Sequence, residues 1–225
     1  MQQNIKPSPL TRRTLSGRLA LCLAAGYVAP IRAMAGLITP SQVEGPFYPI
    51  DVDAERDVDL TRLEGHVEPA TGEQILVRGV VAAVDGTALP GAVVDIWQAN
   101  HHGRYSHSKD PNTAPLDPNF QGWGVMKTSD AGNYGFKTIK PGAYPLSFLG
   151  GSGWRCRHIH MKVSCPGYKP LITQMYFEGD PLIEQDLEIA KAPEEARHLL
   201  IAPVTRDDDS GLPLYRFDIT LAATG

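Results

Sequence analysis

Apolar and β-branched residues fill the chain from Ile75 to Val84, and Asp85-Gly86 ends the run with a turn signal. Ala92 to Trp97 reads as the returning strand. Asp130-Ala131-Gly132-Asn133 marks a second turn, followed by Tyr134-Gly135-Phe136-Lys137-Thr138. Further strands are predicted through the histidine-bearing segment Trp154 to Val163, over Leu171 to Phe177 and over Leu214 to Leu221. Only Pro193 to Leu200 looks helical, with proline at its start and two glutamates in its first turn. Asn100 to Trp123 has little periodicity, and a stretch that long without regular structure is usually functional. The pattern predicts an all-β fold, a two-sheet β-sandwich with long loops and one short helix.

The N-terminus follows a different logic. Thr11-Arg12-Arg13-Thr14-Leu15 precedes an apolar stretch from Leu19 to Ala29, and Ala33-Met34-Ala35 offers an Ala-x-Ala cleavage site. This is the order of a secretory signal, and the paired arginines point to the Tat route, an address and not an anchor. The expectation is a signal over residues 1–35, removed after Ala35, and a catalytic domain over 36–225 in an exported, periplasmic protein. The remaining composition excludes other classes. A net charge of -4 without a basic run gives nucleic acid binding no support. No run approaches the roughly 20 apolar residues of a membrane span. Cys156 and Cys165 are about 30 Å apart along an extended strand, against a bridging limit of about 7 Å, so both are expected as free thiols.

Candidate chemistry centres on His158 and His160. Two positions apart in a strand, they leave the same face and can present two metal ligands. Tyr105, in the aperiodic stretch, and Tyr144, in Lys140-Pro141-Gly142-Ala143-Tyr144-Pro145, are the other candidates. Either tyrosine alone would be an ordinary amphipathic interior residue. A phenol loses its proton only near pH 10, which makes it a poor partner for soft divalent metals. A hard trivalent ion removes that proton and keeps the phenolate. Two phenolates with two neutral imidazoles suit Fe(III).

Several segments in one order resemble a known family. They are Thr39 through Pro49, Asp95-Ile96-Trp97-Gln98-Ala99-Asn100 with Gly103-Arg104-Tyr105, and Ala114 through Phe120. Thr138 through Pro145, Arg155 through His160, Leu171 through Leu182 and Tyr215 through Ile219 complete the set. The chain is similar to the intradiol ring-cleavage dioxygenases, and within them to the branch of the iron-bearing protocatechuate 3,4-dioxygenase β subunits. The resemblance implies an Fe(III) enzyme that cleaves a catechol-type ring with O2 to a cis,cis-muconate-type diacid. It implies Tyr144 and His160 as axial ligands and Tyr105 and His158 as equatorial ones. Tyr144 would also take a substrate proton, Arg155 would stabilise negative charge on the ring, and Gln174 would stand near the substrate oxygens. In a straight strand Arg155 faces away from His158, so it reaches the site only if the chain is irregular there; Gly150-Gly151-Ser152-Gly153 could supply that irregularity. The family pattern favours a small residue where Arg157 stands, and Arg157 is read as solvated surface. The protocatechuate pattern has tryptophan where this chain has Leu146, which keeps catechol and hydroxyquinol open as substrates beside protocatechuate. One chain supplies every ligand, and the family often assembles through this sandwich, compatible with a homo-oligomer.

Two other classes compete. A zinc hydrolase would use His158, His160 and a third histidine with water. A non-catalytic exported sandwich would bind a partner through its loops. Colour separates the first from an iron enzyme, because phenolate-to-iron charge transfer makes the protein burgundy and zinc leaves it colourless. His101, His102 and His107 are expected to line the loop without touching metal, and Asp207-Asp208-Asp209 to form a turn.

Overall fold

The structure, a computed structural model, describes residues 36–51 and 54–225. The predicted signal over residues 1–35 lies outside the described residues. The strands are β1 (Gln74–Ala83), β2 (Val93–Trp97), β3 (Trp123–Lys127), β4 (Asn133–Ile139), β5 (Tyr144–Pro145) and β6 (Trp154–Arg155). They continue with β7 (His158–Ser164), β8 (Leu171–Phe177), β9 (Ile201–Ala202), β10 (Val204–Arg206), β11 (Pro213–Arg216) and β12 (Ile219–Leu221). One sheet runs β10-β11-β1-β12, with β4 also paired to β1. The other runs β3-β2-β7-β8-β9, and β5 and β6 form a separate hairpin.

The two five-stranded sheets face each other over one apolar core. Along β1, buried and partly exposed residues alternate, the signature of a strand with one core face. Ile75, Val77 and Val81 pack with Tyr134 and Phe136 of β4 and with Val94, Ile96, Ile159, Met161, Val163 and Met175 of the opposite sheet. Burying each such side chain contributes roughly 1.5–3 kcal/mol before the entropy of ordering is subtracted. The all-β sandwich expected from the pattern is the fold observed.

Four details differ from the expectation. The strand predicted from Trp154 to Val163 is broken at Cys156-Arg157 into β6 and β7, which belong to different sheets. The strand predicted over Leu214–Leu221 is two strands, each parallel to β1, with registers Leu76↔Leu214 and Val81↔Ile219. Between them Phe217 N donates to Arg78 O (2.9 Å), and Asp218 Oδ1 accepts from Val80 N (3.0 Å). A strand also begins at Trp123, where only a loop end was expected. Its five residues include Gly124, a weak β-former, and pairing with β2 overrides that weakness. The predicted helix is found as α2 (Glu194–Arg197), continued by a 3-10 turn over His198–Leu200. A helical turn that the pattern did not announce, α1 (Leu187–Ala190), precedes it; Asp186 caps it by accepting from Glu188 N at 2.8 Å. Cys156 and Cys165 are free.

The sheet holding β2, β7 and β8 is buried on both faces, and this positions the site. Ile159, Met161 and Val163 enter the core, while His158 and His160 point the other way and are also buried. Trp97, Gln174 and Tyr176 share their side of the sheet by the same alternation. The cover over that outer face is mostly irregular chain.

Candidate metal centre and active site

Four segments converge on the outer face. β7 presents His158 and His160. The Asn100–Trp123 stretch brings Tyr105, and the β5–β6 hairpin brings Tyr144 with Arg155 directly across from it. Residues 39–43 run along β8, and 44–48 continue over β7 and β2, as a strap.

Local hydrogen bonds hold the Tyr105 loop in shape. Asn100 Oδ1 accepts from His102 N (2.8 Å) and Arg104 N (3.1 Å), and its Nδ2 donates to Pro115 O (2.9 Å). Asp110 Oδ2 accepts from Tyr105 N at 2.7 Å. The two tyrosine segments meet backbone to backbone, with Gly142 N donating to Asn100 O (2.9 Å). A Cβ at Gly103, whose φ is +78°, would lie 2.6 Å from the Ala143 carbonyl oxygen, so a side chain there would push the tyrosines apart.

All four candidate ligands are buried, with exposures of 2–4 %. His158 Nδ1 lies 2.7 Å from Cys156 O. A carbonyl only accepts, so Nδ1 carries the proton and Nε2 offers its lone pair. That Nε2 is 3.3 Å from Tyr105 Oη, and His160 Nε2 is 3.1 Å from the same oxygen. The Tyr144 hydroxyl is near enough to that of Tyr105 for each to alter the other's ionisation. The Tyr144 ring centroid lies 6.0 Å from that of Tyr105 and 5.7 Å from that of His158. Trp97 stacks on His160 at 4.8 Å and 7°, which fixes the imidazole plane. Phe47 packs on Tyr105 with centroids 4.9 Å apart.

Electrostatics keep this group neutral. Burial, then the positive charge of Arg155, hold His158 well below the usual imidazole range; burial, His158 and Arg155 do the same to His160. Burial, then Tyr144, hold the Tyr105 phenol well above its usual value. Burial raises Tyr144 as well, with Arg155 opposing the rise. The Tyr105 hydroxyl has one proton to share between two imidazole nitrogens. The ring nitrogens of two imidazoles and the oxygens of two phenols thus face one small volume, and His160 Nδ1 has no hydrogen-bond partner of its own among the described residues. A cation completes such a set, and hard phenol oxygens with imidazoles fit a ferric ion. Among the described residues no group of three or more His, Cys, Asp or Glu side chains could hold a metal ion, so the third protein ligand of a zinc hydrolase is missing there. His101 and His102 are exposed, and His107 Nδ1 accepts from Lys109 N at 3.1 Å.

Arg155 reaches this group because the chain is irregular just after it. Its strand, β6, pairs with β5 in the register Tyr144↔Arg155 and ends before β7 begins, so the alternation along β7 does not govern its direction. Arg155 is buried, and its Nε donates to Asp186 Oδ2 at 2.9 Å. Its Nη2 donates to Gln174 Oε1 at 2.5 Å and lies 3.4 Å from Tyr176 Oη. Gln174 spends its other end on the strap, where Nε2 donates to Val43 O at 2.8 Å. The strap is also held by Thr173 Oγ1 donating to Pro40 O (2.8 Å) and Gln42 N donating to Ile172 O (2.8 Å). Asp186, Tyr176 and Trp97 complete the surroundings. The sequence reading assigned them no role, and nothing local in the sequence marks Asp186 as the partner of Arg155. Arg157, expected as solvated surface, is instead half-buried against Asp180, with Nη1–Oδ2 at 3.2 Å. The Asp180 carboxylate is out of water and needs a cation.

A cavity of about 270 Å³ opens beside these groups. Tyr144, Arg155 and His160 form part of its lining; Val43, Phe47, Leu146 and Leu187 supply apolar wall.

Comparison with known proteins points to one family. A family described as Dioxygenase matches residues 43–223. The chain is 41% identical over 179 residues to the protocatechuate 3,4-dioxygenase beta chain of Burkholderia cepacia, covering 78% of this chain and 76% of that protein. It is 31% identical over 184 residues to the chlorocatechol 1,2-dioxygenase of Rhodococcus opacus, covering 77% and 67%. Among solved structures, it is similar to the dioxygenase domain of a dioxygenase carbohydrate-binding protein fusion from Streptomyces sp. SirexAA-E. That likeness has a TM-score of 0.61 and 27% identity, and covers 83% of this chain and 99% of the domain.

Proposed function

The chain belongs to the intradiol ring-cleavage dioxygenases, and from that premise we propose that Tyr105, Tyr144, His158 and His160 hold one Fe(III) ion beside the catechol site. The substrate is cleaved between its two hydroxylated carbons, giving a cis,cis-muconate-type diacid. The convergence of the four buried side chains on one volume carries this reading. Bound there, a ferric ion supplies Lewis acidity and a template for the two catechol oxygens.

The surrounding residues prepare the site. A catechol binds as a dianion only after two protons leave it; Tyr144 Oη, at the cavity wall, would be a phenolate with the ferric ion bound and would take one, and solvent would take the other. Arg155 stands across the hairpin from Tyr144 and favours negative charge on the ring and on that oxygen. It serves best if it does not move, and Asp186 and Gln174 fix two sides of its guanidinium. We therefore assign Gln174 to positioning Arg155 and the strap. Phe47, buried, gives the ring an apolar wall together with Val43, Leu146 and Leu187. Likeness to a protocatechuate enzyme makes protocatechuate our first substrate, with catechol and hydroxyquinol as the alternatives. We further propose export by the Tat route with cleavage after Ala35, supported by Arg12-Arg13 and Ala33-Met34-Ala35; N-terminal sequencing of the exported form should begin at Gly36.

The test of function is oxygen uptake by the iron-loaded protein against a panel of catechols, with the products identified. Uptake with cleavage between the hydroxyl-bearing carbons is the expected result. Cleavage beside them, or no uptake with iron bound, contradicts the proposal.

A further inference from the structure

Which catechol enters is a matter for the cavity wall, and this inference rests on the function proposed above. A volume of about 270 Å³ lies at the small end of ligand sites and suits a single ring with a small substituent. Two cations line it, Arg155 and Lys191. The Arg155 guanidinium is buried and committed to Asp186, Gln174 and Tyr176. Lys191 is different. Its side chain is 63% exposed, and its Nζ meets Glu188 Oε1 at 2.7 Å, three residues earlier on the same helical segment. An exposed pair of this kind contributes little, so the ammonium can leave it at small cost. Glu188 also lines the cavity, as do Leu146 and Leu187.

We propose that Lys191 is the residue that selects the ring substituent: its ammonium pairs with a carboxylate carried by the catechol, as in a 3,4-dihydroxybenzoate. Glu188 holds the lysine neutralised in the empty site and competes with the incoming carboxylate. An uncharged catechol makes no use of Lys191 and enters without disturbing the pair.

The test uses the iron-loaded full chain and two readouts. In steady-state oxygen uptake, Lys191→Met should raise KM for 3,4-dihydroxybenzoate about tenfold, with kcat held within about twofold and KM for catechol unchanged. Lys191→Arg should restore most of the loss, and Glu188→Gln should lower KM for the carboxylated substrate about threefold. In calorimetric binding, 4-hydroxybenzoate should bind more tightly than phenol to the wild type, and Lys191→Met should remove that difference. Equal changes for charged and uncharged ligands, or no change for either, would overturn the inference. The two claims fail separately. Lys191-dependent binding without any ring cleavage sinks the proposed reaction and keeps the inference, and cleavage with Lys191-independent binding does the reverse.

Discussion

The two faces of β7 make two different interiors. Inward, Ile159, Met161 and Val163 meet the side chains of the opposite sheet. Outward, His158 and His160 meet two phenols, a stacked indole and a nearby guanidinium. Both faces exclude water to a similar degree, yet they are held by different forces. The inner face needs only apolar side chains of suitable volume, supplied by strands with a period of two. The outer face is covered by a strap, a long loop, a hairpin of two short strands and a helical turn, each fixed by specific hydrogen bonds. Burial alone therefore does not distinguish core from site in this protein; the number of lone pairs facing one volume does.

The largest effects should separate the two faces completely. His160→Ala is expected to abolish iron retention and oxygen uptake, and Tyr105→Phe to weaken iron retention about tenfold and abolish oxygen uptake, while circular dichroism keeps its β-sheet signature in both. Unfolding of both variants would show that the outer face is a structural core after all. Arg155→Met should lower kcat about 10²- to 10³-fold with iron content retained, as expected for loss of a fixed charge beside developing negative charge. Iron loss in that variant would mean that Arg155 builds the centre and does not act on the ring. Ile159→Ala tests the inner face and should cost about 3 kcal/mol in urea denaturation, with activity per folded, iron-loaded molecule unchanged. A loss of specific activity there would show that the two faces are coupled through the strand. The smallest effect belongs to Gln174→Met, about tenfold in kcat, because Asp186 still holds the other side of the guanidinium. A complete loss would assign Gln174 to the reacting atoms.

The inner face was legible in the sequence. The apolar, β-branched run of β1, turn signals at Asp85-Gly86 and the segment 130–133, and the apolar residues of β2 are local properties that strands express directly. On the outer face, the four candidate ligands were named through residue chemistry and family resemblance, and the structure brings them together. Their supports were not. Asp186 fixes Arg155 from 31 positions away and anchors Cys156 N as well, a link that exists only once α1 is folded against the hairpin. Trp97 looked like the end of a strand, and only the register Trp97↔His160 turns it into a plate under the imidazole. Arg157 was misjudged for the same reason, because its buried partner Asp180 lies beyond β8. Long-range polar pairs have no periodicity, so no pattern along the chain announces them.

The central claim is that two phenols and two imidazoles on the outer face hold a single ferric ion. The most direct test combines metal analysis with the visible spectrum of the iron-loaded wild type and of Tyr105→Phe and Tyr144→Phe. The account predicts one iron per chain and a burgundy charge-transfer band that changes when either phenol is removed. A colourless protein with iron bound, or a band untouched by both substitutions, would contradict it.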